Sequence, residues 1–205
     1  MWISLIGAEG TCKRTVAELL HSQENFRIVG DSYTPKSSLT SDCYYHQIDF
    51  LTSRYDTQYL EIQPEINNED VVQIRTFWDT HEIYSKVLLK HELITKSDYE
   101  SLSKIYKSLN RSLIPPATVF YCKTTLIDSL DRMKLKSEEP HHEEYLCSVR
   151  EACDEYVSNI RVPVVEIDVS RPFNEVSRQV LFGLNSVKST KVGGQSMWKK
   201  TMMRI

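Results

Sequence analysis

Residues 2–20 constrain this chain more than any other stretch. An apolar run, Trp2, Ile3, Ser4, Leu5 and Ile6, enters Gly7-Ala8-Glu9-Gly10-Thr11-Cys12-Lys13-Arg14-Thr15, and a helical pattern follows in Val16, Leu19 and Leu20. A strand, a glycine-rich turn and a helix in that order aim backbone N–H groups at a helix start, where they can wrap phosphate oxygens. The usual phosphate-loop pattern is G-x-x-x-x-G-K-[ST], in which the Lys reaches the terminal phosphates and the hydroxyl holds Mg²⁺. Gly7, Gly10 and Lys13 fit; Cys12 stands where the second fixed glycine belongs, and Arg14 where the hydroxyl belongs. A strand that merely turned into a helix capped by Thr11 would use the same glycines, so the rest of the chain has to decide.

A chain of 205 residues makes one substantial α/β domain. Its net charge of −3 excludes a global basic field, so nucleic acid is not the expected partner, whereas a small anion fits a local cluster of positive charge. No apolar run approaches the roughly 18 residues that span a bilayer, and residues 1–6 lack the basic flank of a secretory signal, so no membrane is expected and the location expected is the cytoplasm. Five cysteines, Cys12, Cys43, Cys122, Cys147 and Cys153, include no C-x-x-C pair and read as reduced thiols. Cys12, at a helix N-terminus beside Lys13, sits where a thiolate is favoured.

Apolar runs at Trp2 to Ile6, Phe26 to Val29, Val71 to Ile74, Thr118 to Cys122 and Pro163 to Ile167 read as strands. Amphipathic stretches at Cys43 to Leu60, Thr80 to Leu93, Ser97 to Leu109, Leu126 to Met133 and His142 to Val157 read as helices. Short, continuously apolar strands alternating with helices are the mark of a buried parallel sheet. The expected architecture is therefore α/β, a P-loop NTPase fold with a five-stranded parallel sheet flanked by helices and a helical lid, over residues 1–184. Residues 185–205, with Lys188, Lys191, Lys199, Lys200 and Arg204 and no acid, read as a basic, flexible C-terminal tail.

Several further patterns occur in one order. Gln47 precedes Arg54 by seven residues, which puts both on one helix face. Ile74-Arg75-Thr76-Phe77-Trp78-Asp79 precedes Ile83-Tyr84-Ser85; Leu93 to Tyr99 follows; then Arg132-Met133-Lys134-Leu135-Lys136-Ser137-Glu138-Glu139, Glu144-Tyr145-Leu146 and Val162 to Asp168. This succession resembles the deoxynucleoside kinases related to deoxycytidine, deoxyguanosine and mitochondrial thymidine kinases, over most of residues 1–170. In that family a Gln and an Arg cover the base. An E-R-S motif follows the third strand, and its acid is replaced here by Ile74. An Arg-rich lid follows the fourth strand, two residues shorter here and with Lys for the later Args.

The resemblance implies transfer of the ATP γ-phosphate to the 5′-hydroxyl of a (deoxy)nucleoside by a homodimer, with ATP and Mg²⁺ as cofactors, and so compact a kinase would suit a viral genome. The ATP site implied is Gly7, Ala8, Glu9, Gly10, Thr11, Cys12, Lys13, Arg14 and Thr15 with lid residues Arg132, Lys134 and Lys136. Thr15 is left as a weak Mg²⁺ ligand, because Arg14 has donors only; Arg14 could itself neutralise phosphate charge. Asp31, in Val29-Gly30-Asp31-Ser32, is expected as the base that takes the 5′-hydroxyl proton, with Lys13 and Arg75 also catalytic. Gln47, Arg54, Tyr45 (or Tyr44), Thr80 and Glu139 (or Glu138) are expected on the nucleoside. Thr80 occupies the position of a base-reading Asp in several relatives. His141 and His142, beside Glu143 and Glu144, lack ligand spacing with a third site and read as lid surface rather than metal ligands. Two other readings stay open at this point: a catalytically inactive member of the fold acting as a binding or scaffold subunit, and a thymidylate-type nucleoside monophosphate kinase.

Overall fold

The computed structural model describes residues 1–30, 43–134 and 143–194. Five strands, β1 (Trp2–Ile6), β2 (Arg27–Val29), β3 (Val71–Ile74), β4 (Thr118–Lys123) and β5 (Val164–Asp168), pair in parallel in the spatial order β2-β3-β1-β4-β5. They are the five runs expected from the sequence, shifted by a residue at most at either end. The helices are α1 (Lys13–Glu24), α2 (Cys43–Asp56), α3 (Phe77–Asp79), α4 (Lys86–Lys90), α5 (Lys96–Leu109), α6 (Leu126–Lys134), α7 (Glu143–Asn159) and α8 (Phe173–Gly194).

Alternation along the central strands sorts the core into two layers, because successive side chains of a strand point to opposite faces. Ile3 and Leu5 of β1 and Phe120 and Cys122 of β4 pack with Val16 and Leu20 of α1 and Val180 and Leu184 of α8. On the other face Ile6, Val119 and Tyr121 pack with Val87 of α4 and Val149 and Cys153 of α7. Covering both faces is what lets these strands be apolar throughout. Trp2 extends the second face into a smaller cluster with Val29, Ile62 and Val71.

Three local features differ from the sequence reading. The helix expected from Thr80 starts earlier, because Thr76 and Asp79 form a capping box: the Thr76 hydroxyl accepts from the Asp79 N–H, and the Asp79 carboxylate accepts from the Thr76 N–H. Between α3 and α4, Thr80–Ser85 is wound as a π-helix, and so is Thr57–Ile62 after α2. The second of these turns buries Gln58, whose Nε2 donates to Gln73 Oε1 of β3 at 2.9 Å. Finally, α8 carries on through Asn185 to Gly194, and Lys188 Nζ bonds Glu24 Oε2 of α1 at 2.6 Å. Residues 195–205 lie outside the described part. No helix among the described residues is long and apolar enough to cross a membrane.

The carboxyl ends of β1, β3 and β4 open on one side, the usual place for a ligand in a parallel α/β sheet. β1 lies between the other two, with Leu5 opposite Ile74 and Ile6 opposite Tyr121. The loop after β1 is thereby flanked by Arg75 and by the entry to α6. Gly10 packs directly on α6: a Cβ there would lie 2.5 Å from the Ser129 carbonyl oxygen and 2.8 Å from its Cα, at a φ of +75°. Gly10→Ala should therefore cost about 2 kcal/mol through combined strain and displacement of α6. Thermal unfolding should register this as a midpoint about 4–8 °C lower; an unchanged midpoint would mean that the loop and α6 are not in rigid contact.

Candidate active site at the carboxyl ends of the central strands

The loop between β1 and α1 closes around the Lys13 side chain. Lys13 Nζ donates to Gly7 O at 2.6 Å and Ala8 O at 2.7 Å, and its third proton has only the Thr11 hydroxyl at 3.4 Å, a weak contact that a phosphate oxygen can displace. Thr11 does not cap the helix; its hydroxyl donates back to Ala8 O at 2.7 Å. The N-cap position belongs to Cys12, which makes no side-chain cap bond, and no acid occupies the first turn. A helix start with uncapped N–H groups and a positive dipole end is suited to an anion.

Cys12 adopts the left-handed backbone that favours glycine, at φ 52° and ψ 31°. Its Sγ reaches only Gly10 O at 3.9 Å. Arg14, expected over the phosphates, is instead 78 % exposed and pairs with Glu18 one turn on at 3.5 Å. The reason is helical geometry: Lys13 starts α1 facing the sheet, and the next residue turns about 100° away from it. Thr15 is half-buried in the same turn.

Arg75 follows β3 with a left-handed backbone, φ 62°, and its Nη2 donates to Glu9 Oε1 at 2.8 Å. The Tyr84 hydroxyl donates to the same oxygen at 3.1 Å, and the guanidinium lies 5.3 Å over the Tyr84 ring. Burial would raise the Glu9 carboxyl, but Arg75 and Lys13 outweigh it and hold it below its ordinary value. Burial and the Arg75 charge push the Lys13 ammonium down, against Glu9, which raises it. Lys13 and Arg75 thus gather positive charge around the Glu9 carboxylate beside the loop.

A second polar group lies beside it on α2 and the π-helical turn. Gln47 and Arg54 are both buried and share a helix face, as their spacing requires. Arg54 Nη1 donates to the Thr80 hydroxyl, and Ser85 Oγ sits 3.2 Å from Gln47 Oε1 and 2.9 Å from Thr80 O. Asp79 is buried against Thr76, and burial raises its carboxyl although the Thr76 bonds and Arg54 oppose the shift. Tyr45 is not part of this group: it is 64 % exposed and stands edge-on to Tyr44, since two residues along a helix turn a side chain through about 200° from Gln47. Tyr44 shares the Gln47 face and packs near Cys43, Leu88 and Ile94.

On α6, Arg132 donates to Gly10 O at 3.2 Å and Val169 O at 2.9 Å, bracing the phosphate loop from the β5 side. Lys134 points elsewhere and pairs with Asp131 at 3.4 Å. Asp31, Lys136, Glu138, Glu139, His141 and His142 lie outside the described residues. The Glu9–Arg75 pair, Tyr84 and Ser85 escaped the sequence reading as contacts. Ile83-Tyr84-Ser85 was visible as a pattern, but the π-helical winding that turns it toward the loop was not.

A family model described as deoxynucleoside kinase matches residues 3–186. Among solved structures, deoxyadenosine kinase from M. mycoides with bound dATP superposes with a TM-score of 0.75 at 15 % identity, covering 90 % of this chain and 100 % of that one. The same enzyme with products dCMP and a flexible dCDP gives 0.74 at 19 % identity, covering 92 % and 100 %. Its complex with dCTP gives 0.74 at 19 % identity, covering 91 % and 100 %. At these identities the likeness concerns the fold. Comparison with curated proteins gave no match.

A non-glycine residue in the left-handed region costs about 1–2 kcal/mol. A glycine returns about 0.4–1 kcal/mol of that as unfolded-state entropy. Cys12→Gly should thus stabilise the protein by roughly 0.5–1 kcal/mol, a rise in melting midpoint of about 1–4 °C. A lower midpoint would show that the Cys12 side chain contributes packing that outweighs its backbone strain.

Proposed function

Since the chain belongs to the deoxynucleoside kinase family, we propose that it moves the γ-phosphate of ATP to the 5′-hydroxyl of a deoxynucleoside with the residues gathered around Lys13. The observation that carries this reading is the buried Lys13 ammonium, fixed by Gly7 O and Ala8 O at the mouth of an uncapped helix. The bound dATP and dCTP of the M. mycoides enzyme show that a related fold accepts deoxynucleotides of more than one base, which supports a deoxynucleoside as acceptor here.

In this scheme the loop N–H groups and Lys13 hold the ATP phosphates, and Arg132 keeps the loop closed through Gly10 O. Arg75 stands beside the acceptor, where its charge offsets the negative charge spreading over the transferred group. Asp31 takes the proton from the 5′-hydroxyl as the O5′–P bond forms and the bond to the ADP oxygen breaks. Gln47 offers its amide to the base edge, and Arg54, fixed by Thr80, closes the same face.

Magnesium enters only as the companion of the ATP phosphates. Arg14 faces solvent at the position of the usual hydroxyl ligand, and the described residues hold no group of three or more His, Cys, Asp or Glu that could bind a metal. Thr15, half-buried in the first turn of α1, is the hydroxyl that would meet the ion, which would add to the neutralisation of phosphate charge there.

Two kinetic experiments test the reading. Lys13→Ala should lower turnover by about a hundredfold or more, the scale on which one removed transition-state contact acts, with a lower melting midpoint as well because the Gly7 and Ala8 carbonyls lose their partner; full activity in this variant would remove Lys13 from the mechanism. Gln47→Leu should raise the nucleoside KM about tenfold, the equivalent of about 1.4 kcal/mol, with the ATP KM unchanged. Equal losses for both substrates would place Gln47 in the fold rather than on the base.

A further inference from the structure

Glu9 puts a negative charge inside a loop whose other features attract anions. Its side chain is 27 % exposed, yet Oε2 is shut off from solvent with no hydrogen-bond partner, and both bonds, from Arg75 Nη2 and from the Tyr84 hydroxyl, fall on Oε1. A carboxylate accepts and does not donate, so it cannot hold a phosphate. With Arg75 and Lys13 beside it, the carboxylate is a poor place for a divalent cation. Held below its ordinary value by those same charges, it is also a weak base. Its remaining capacity is to fix what donates to it.

What it fixes is Arg75. The backbone there is in the left-handed region, at φ 62°, which aims the side chain back toward the β1 loop, and the Tyr84 ring closes the guanidinium from one side at 5.3 Å. In the family's E-R-S motif an acid precedes this arginine in sequence, and Ile74 removes it here. We propose that Glu9 supplies the missing carboxylate from the phosphate loop and is the positioning residue of Arg75. It makes the loop that holds the ATP phosphates also the element that sets the arginine of the acceptor side. The inference rests on the reading of Arg75 given above as the acceptor-side arginine.

The test compares Glu9→Gln, Glu9→Asp, Arg75→Lys and the double variant Glu9→Gln/Arg75→Lys in steady-state kinetics with ATP and a deoxynucleoside. Misplacing Arg75 should lower kcat roughly tenfold or more while both KM values stay within about twofold. Glu9→Asp should recover part of the loss, and the double variant should be no slower than Arg75→Lys within about twofold, because the two residues act as a unit. Losses that multiply in the double variant, or a Glu9→Gln loss confined to the ATP KM, overturn the proposal. Arginine side-chain NMR reads the same point without turnover. The Arg75 Nη signals, assigned by their absence in Arg75→Lys, should be separate in the wild type and coalesce in Glu9→Gln. If they stay separate, Glu9 does not hold Arg75, whatever the catalytic outcome. A wild-type chain that phosphorylates no deoxynucleoside, with the NMR result as expected, would instead retire the proposed function and leave the pairing standing.

Discussion

Lys13 reaches the floor of its own loop: its ammonium is shared between Gly7 O and Ala8 O, and the rest of the site is arranged around that contact. For two successive carbonyls to point inward at one nitrogen, the chain has to coil tightly straight out of β1. Gly7 does this at φ 149° with the β4 backbone so close that a Cβ would lie 2.6 Å from Cys122 O. The close approach seats the loop between β1, β4 and α6, and Arg132 then ties it to the end of β5. Burial, and then the charge of Arg75, hold this ammonium below its ordinary pKa.

The departures from the family pattern gather at this one place, and the structure treats each differently. Cys12 accepts the backbone conformation of a glycine and bears the strain. Arg14 leaves the site altogether and becomes part of a surface ion pair with Glu18. Such exposed pairs contribute little to stability, so this position has become a solvated one. Ile74 stands at the end of β3 where the family has an acid, while Glu9 presents a carboxylate to the same arginine from the loop after β1.

The Gln47 and Arg54 side of the site depends on a helix that changes its winding. A π-helical turn holds one residue more per turn than the α-helix around it, which redirects the side chains that follow. Here it sets Thr80 against Arg54, Ser85 against Gln47 and Tyr84 against Glu9, so one short segment contacts both halves of the site. The capping box of Thr76 and Asp79 fixes where that helix begins and therefore which residues fall on the wound turn.

What was legible in the sequence was whatever depends on neighbours along the chain. The strand, loop and helix of residues 2–20, the five apolar strands, and the shared face of Gln47 and Arg54 follow from periodicity and turn chemistry. Whatever depends on residues far apart in the chain was decided only by the tertiary structure. Glu9 and Arg75 are 66 positions apart and meet because β1 and β3 are neighbours in the sheet. Arg14 and Tyr45 carry the residue types expected of a ligand contact but lie on the solvent side of their helices, because the buried faces of α1 and α2 were already taken by Lys13 and Gln47. A motif records which side chains are present in the loop; only the packing of its helix against the sheet determines which of them turn inward.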